Sequence, residues 1–165
     1  MAKRKRRTAT DPSIEFEDPL SNYDGPELDD PLVEAMLRDS VTKVEHQPFT
    51  AVGPDDLLCD VLTAMDKIHV ACTMVVQDGK LLGIFSERDV LNKLVDDYAS
   101  LSNKPVSEFM TPQPSATYTT DSPSKAMNLM AVHGFRHVPI LDVDDNVVGI
   151  IGPRRVLRYI KTYSG

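Results

Sequence analysis

Residues 83–91 read GIFSERDVL, and residues 149–157 read GIIGPRRVL. The frame is the same in both: a glycine, two apolar residues, four variable positions, then Val-Leu. The likeness runs further back. VLTAM at 61–65 falls on AMNLM at 126–130, Val70 falls on Phe135, and TMVVQ at 73–77 falls on VPILD at 138–142, each at an offset of 65. From the glycines onward the offset is 66. The extra residue enters where Asp78-Gly79 becomes Asp144-Asp145-Asn146, and a turn tip is where one added residue disturbs least. A sequence that repeats in this way builds one supersecondary unit twice. Nothing else in the chain limits its fold so strongly.

Each copy carries the same order of local signals. An extended piece (49–52; 115–118) leads into a helix. The first helix is expected from near Pro54-Asp55, with Leu57, Leu58, Val61, Leu62 and Met65 at helical spacing. The second is expected from near Asp121-Ser122-Pro123, with Ala126, Met127, Leu129 and Met130. A hairpin follows, 73–77 and 81–85 in the first copy, joined by Asp-Gly, which favours a tight primed turn. Its strands are nearly all apolar, so both faces are expected to be buried. A last amphipathic helix carries Val90, Leu91, Leu94, Val95 and Tyr98, or Val156, Leu157, Tyr159 and Ile160. The fold class expected is therefore α+β with α/β character: two β-α-β-β-α repeats. Each is too small for a comfortable core of its own, so the two should pack together about a pseudo-twofold axis.

The N-terminal part departs from this pattern. KRKRR at 3–7 is a basic run, and from Thr8 to Leu37 there are nine acids and no Lys or Arg. Such a stretch buries too little apolar surface to offset the entropy of ordering it. Residues 1–30 are read as a flexible charged arm. Asp30-Pro31 before LVEAML is a helix start, with Asp30 as N-cap and Pro31 at the first helical position. The organisation expected is thus an arm over 1–30, a helix plus first repeat over 31–105, and a second repeat over 106–165. The net charge of −7 argues against the whole molecule binding nucleic acid, which leaves only the basic run for that role. No apolar stretch is long enough to span a bilayer, and none follows the basic run as a secretory signal would require. Cys59 and Cys72 are too few for a disulfide framework or a zinc site, so a reducing cytoplasm is expected. His133 and His137 are interrupted by Gly134 and do not read as metal ligands. Neither a nucleophile elbow nor a Walker loop is present, so no catalytic residue is assigned.

The polar residues of the repeated phrase admit two readings. Ser86 and Asp89, three apart before an apolar helix, fit a variant of the capping box. The same two residues can instead serve a ligand. In the second copy Ser86 has become Gly152, and Asp89 has become Arg155. Gly152 is a tolerable N-cap and Pro153 suits the next position, so the helix start survives while the carboxylate is lost.

With these residues in view, the sequence resembles the tandem cystathionine-β-synthase (CBS) domain pair, also called a Bateman module, over about residues 40–163. The motifs carrying the resemblance are VSEFMTP at 106–112, GFRHVP at 134–139 and GIFSERD at 83–89, in that family's order and spacing. The resemblance implies a module that binds an adenosine-containing ligand between the repeats and regulates another protein. It implies that Ser86 and Asp89 contact the nucleotide, Asp89 through the ribose hydroxyls, to which a carboxylate can accept two hydrogen bonds. Arg88 could add a cationic contact, and the free N–H groups of the helix start suit a phosphate. Arg155 cannot accept from a ribose. Arg154, Arg155, Arg136 and His137 could instead form an anion site, which would favour ADP or ATP over AMP, or an ordinary basic surface; both stay open. The partners expected are a second copy of the chain, as a homodimer, and a separate regulated protein, with no membrane. The alternatives are a ligand-free assembly module, or a nucleic-acid-associated regulator acting through residues 3–7.

Overall fold

The computed structural model of the protein describes residues 28–163. All but the last three residues of the expected arm, including the basic run, lie outside the described residues.

Helix α1 (Pro31–Arg38) starts as its sequence dictates. The Asp30 carboxylate accepts hydrogen bonds from the backbone N–H of Leu32 at 2.8 Å and of Val33 at 3.4 Å, and Pro31 sits where its missing N–H costs nothing. After a 3-10 turn at Val41–Lys43 come β1 (Ala51–Val52), α2 (Leu58–Lys67), β2 (Cys72–Gln77), β3 (Lys80–Ser86), α3 (Glu87–Lys93) and the short α4 (Tyr98–Leu101). A second 3-10 turn at Val106–Glu108 and β4 (Thr111–Pro112) lead into β5 (Thr117–Tyr118), α5 (Pro123–His133), β6 (Val138–Leu141), β7 (Val147–Ile151) and α6 (Pro153–Lys161). The expected β-α-β-β-α order is present in both copies.

Two boundaries differ from expectation. Helix α2 begins at Leu58 rather than near Pro54. The Asp56 carboxylate accepts from the N–H of Gly53 and holds a turn there, while the N–H groups of Leu58 and Cys59 donate to the carbonyls of Lys104 and Ser102. The linker between the repeats thus satisfies the open N–H groups of the first helical turn. The last helix of the first copy is split into α3 and α4. Asp96 and Asp97 fall just past α3, where acids oppose the helix dipole.

The strands form two sheets, in the orders β1-β2-β3-β4 and β5-β6-β7. In each, a short parallel strand pairs with the first strand of an antiparallel hairpin. The Asp78-Gly79 turn has positive φ at both residues, as a type I′ turn requires. The longer second turn is held by the Asp142 carboxylate, which accepts from the N–H groups of Asp144 and Asn146. The two turns meet side by side, with the Val147 N–H donating to the Gly79 carbonyl.

The segment leading into each repeat packs on the other repeat. Val106 N–H donates to Asp56 O of the first repeat, and Val41 N–H donates to Asp121 O of the second. β4 pairs with β3, and in the matching place Ile150 N–H on β7 donates to His46 O. The cores follow the same exchange. Leu58, Val61, Met65, Val75, Phe85 and Leu94 are completed by Val106 and Phe109. Ala126, Val138, Ile140, Ile151 and Tyr159 are completed by Ala35, Val41 and Val44. A third cluster, Cys72, Met74 and Ile150, joins the two sheets. Packing therefore crosses the expected linear boundary at 105/106 in both directions. Each buried Val or Phe of a crossing segment contributes about 1.5–3 kcal/mol.

The crossing explains why both phrases begin with glycine. A Cβ on Gly83 would stand 2.3 Å from Met110 Sδ and 3.0 Å from the Thr111 carbonyl oxygen. A Cβ on Gly149 would stand 2.5 Å from His46 Cδ2 and 2.9 Å from the His46 carbonyl oxygen. Those carbonyls belong to the crossing backbone and cannot rotate away. Gly83→Ala and Gly149→Ala should each lower unfolding free energy by about 1–3 kcal/mol, read from urea midpoints. Wild-type midpoints in both variants would mean that the crossing segments are not held this closely.

Candidate functional site

A cleft of about 360 Å³ opens between the repeats, within the size range of small-molecule sites. One wall is the start of α3, with Ser86, Glu87, Arg88 and Asp89; another is residues 111–115; the third is residues 134–137, reached just after α5. Ala71 and Ile84 also line it. The repeat geometry brings these together. The end of β3 delivers Ser86, the crossing segment delivers Thr111, and the left-handed Gly134 that ends α5 turns Phe135, Arg136 and His137 toward the cleft.

Asp89 is the most constrained polar group in this cleft. It is only 7% exposed. Its Oδ2 accepts from the Ser86 N–H at 3.0 Å and from the Ser86 hydroxyl at 2.7 Å. Its Oδ1 accepts from Lys93 Nζ at 2.7 Å and from the Thr111 hydroxyl at 3.3 Å. Burial alone would push this carboxyl up, but the hydrogen bonds from Lys93 and Ser86 outweigh it. The result is a carboxyl held below its ordinary value, hence an ionised acceptor inside a largely desolvated wall. Asp89 caps its helix, through Ser86 N–H, and faces the cleft at the same time. The two readings of the phrase describe one residue.

His137 is half-buried on the opposite wall. Burial lowers its pKa, Glu87 raises it, and the nearby Arg136 and Arg155 lower it further. The imidazole is therefore below its ordinary value and neutral at neutral pH.

The structure brings together Ser86, Arg88, Asp89, Arg136 and His137 of the expected residues. It does not bring Arg154 and Arg155 into this lining. The Arg155 guanidinium donates to Ile150 O at 2.7 Å and to Pro48 O at 2.5 Å. Pro48 belongs to the crossing segment, so Arg155 ties α6 to that segment, much as Asp89 does in the first copy through Thr111. Arg154 is exposed on α6. Among the metal expectations, His133 stacks on Phe135 with ring centroids 5.5 Å apart, and α5 ends between His133 and His137. Cys72 is buried, which pushes its thiol up to about 12 and leaves it inert near neutral pH.

Thr111, Glu87 and Phe135 line the cleft and Lys93 bonds to Asp89 from outside it, and the reading of the sequence passed over all four. Thr111 lies inside the VSEFMTP motif, so its place was signalled. Lys93 was signalled only by its spacing of four from Asp89 on one helix. No helix among the described residues is long and apolar enough to cross a membrane.

The family model described as the CBS domain matches the chain twice, over residues 41–96 and 106–162. Among curated proteins, the CBS domain-containing protein CBSCBSPB5 of Arabidopsis thaliana is 26% identical over 136 residues, which are 81% of this chain and 25% of that protein. The chain spans about a quarter of the length of several such relatives. Among solved structures, the CBS domain protein NE2398 is 28% identical with a TM-score of 0.61, over 72% of this chain and 91% of that one. CBSX2 of Arabidopsis thaliana, solved in complex with AMP, is 25% identical with a TM-score of 0.66, over 76% of this chain and 98% of that one.

The imidazole of His137 makes acid sensitivity testable. Its pKa is lower in the folded chain than the unfolded value of about 6.5. The unfolded chain takes up this proton first, so the contribution of His137 to stability is complete above about pH 6.5 and is lost as pH falls through the folded value. His137→Gln should flatten the fall in urea midpoint below about pH 6.5. An unchanged slope would show that His137 is solvated in both states.

Proposed function

The chain belongs to the CBS domain family, and from that membership we propose that it is a regulatory module that senses an adenine nucleotide in the Asp89 cleft and acts on a separate protein. The observation that carries this reading is the facing of an ionised, desolvated Asp89 beside Ser86 with Arg136 and His137 across one cleft. A carboxylate of that kind suits the cis-diol of a ribose, since it can accept from two adjacent hydroxyls. Arg136, with His137 and Arg88, suits the phosphate. Ile84 and Pro112 offer apolar surface for the base. The complex of CBSX2 with AMP supports an adenine nucleotide as the ligand class. AMP, ADP and ATP all fall within it. Arg155, engaged by two carbonyls, lends no support to a preference for the longer phosphates.

A second observation favours pairing of two copies as well. Leu91 is 70% exposed, Val95 63% and Leu157 65%, and Leu91 and Leu157 occupy the same place in the two phrases. This face of the helices is read as the contact with a second copy, giving a homodimer. The fold then serves both assembly and ligand sensing.

Calorimetry on the full chain with AMP, ADP and ATP tests the first part. Asp89→Ala should weaken the bound nucleotide by about tenfold or more, with the dimer intact. Binding of none of the three, or unchanged affinity in the variant, would sink the assignment. Light scattering tests the second part: a dimer mass is expected at micromolar concentration, falling to the monomer when Leu91 and Leu157 are both replaced by Asp. A wild-type monomer would overturn it.

A further inference from the structure

The Asp89 carboxylate does not hold its place unaided. Four protein donors converge on it, and three of them, the Ser86 N–H, the Ser86 hydroxyl and the Thr111 hydroxyl, belong to residues that line the cleft. The fourth, Lys93, is one helical turn along α3 and is not part of the cleft lining. Its ammonium makes two short bonds, at 2.7 Å to Asp89 Oδ1 and at 2.6 Å to the carbonyl of Phe109. Phe109 is buried in the first core, on the segment that crosses from the second repeat. Lys93 therefore spans from a core-anchored carbonyl to the carboxylate.

The second copy lacks both members of this pair. At the matching positions Asp89 is replaced by Arg155 and Lys93 by Tyr159, so acid and base are lost together. Tyr159 turns its hydroxyl to Asp39 instead, at 3.3 Å. The copy without the carboxylate has no lysine to hold one.

We infer that Lys93 is a positioning residue for the nucleotide site: from outside the cleft, fixed on the Phe109 carbonyl, it orients Asp89 and keeps it an acceptor for the ribose hydroxyls. This rests on the nucleotide reading of the cleft. Ser86 and Thr111 hydroxyls can rotate away to admit a ribose, whereas the ammonium stays behind the carboxylate. Lys93 supplies the strongest of the contacts that oppose the effect of burial on Asp89. The other charged or titratable groups around the carboxylate are Glu87 and Arg88 on its own helix, and Arg136 and His137 across the cleft. Thr111 is the polar group that faces it from β4.

The test uses the full chain, with wild type, Lys93→Met and Lys93→Arg. AMP and 2′,3′-dideoxy-AMP, which lacks the diol, are titrated by calorimetry at neutral and mildly acid pH. The Asp89 carboxyl is followed by carbon-13 NMR without ligand. Lys93→Met should weaken AMP by roughly tenfold and leave the dideoxy compound unchanged. The loss should deepen toward acid pH, and the Asp89 titration midpoint should rise. Lys93→Arg should restore most of both. Equal weakening of the two nucleotides, or an unmoved Asp89 midpoint, would overturn the inference and reduce Lys93 to a general support of the helix. If the midpoint moves but no variant binds AMP, the nucleotide reading fails and the hold of Lys93 on Asp89 stands.

Discussion

The mutual crossing of the two lead-in segments is the contact on which the rest of the structure depends. Val106 and Phe109 close the core of the first repeat, and Val41 and Val44 close the core of the second. Each crossing brings a backbone carbonyl against a glycine, Gly83 or Gly149, closer than a Cβ ordinarily sits to a backbone oxygen. The pseudo-twofold relation is thus a property of the packing as well as of the sequence. The same crossing makes the cleft, because Thr111 reaches Asp89 only by lying on the sheet of the other repeat.

Duplication gives two equivalent places, and side chains then separate their uses. In the first copy the polar position on the helix carries a carboxylate, which faces the cleft while also bonding to the crossing Thr111. In the second copy the same position carries a guanidinium, which joins the crossing segment, at Pro48 O, to β7 of its own repeat, at Ile150 O. Both residues tie a helix to the strand that comes from the other half. Only the acid also lines the cleft. The architectural need is met by either charge, which leaves the chemistry of each place free to diverge.

Much of this was legible in the sequence because it is periodic. The repeat, the Asp-Gly turn, the Asp30-Pro31 helix start and the capping spacing of Ser86 and Asp89 are all local signals, and local rules determine them. The site was legible where a motif ran through it: 83–89 and 134–137 meet in one cleft. The surroundings of Arg155 stayed open in the sequence because spacing assigns a residue to a position and not to a partner. The carbonyls that engage it belong to residues 48 and 150, the first of them 107 positions away. Lys93 was passed over for a related reason. Its i,i+4 relation to Asp89 looks like any surface pair, and its significance comes from Phe109, which no periodicity connects to it. The exchanged cores were equally hidden, since the repeat reads identically whether its lead-in packs on its own half or on the other.

The exchange also sets an order in time. As the chain leaves the ribosome, the first repeat is complete in sequence before residue 100, yet Leu58, Val61 and Phe85 face an open side until Val106 and Phe109 emerge. The second core in turn waits for its own strands, while the lead-in that closes it, Ala35 to Val44, has been made well before them. The first core can close once Phe109 has emerged, but the second cannot close until its own strands and last helix follow. Contacts between residues so far apart are slow to form because the loop entropy precedes the reward. Synthesis therefore leaves Val41 and Val44 without their core for the time it takes to make the second repeat, and for that interval their apolar surface is exposed to whatever else is in the cell.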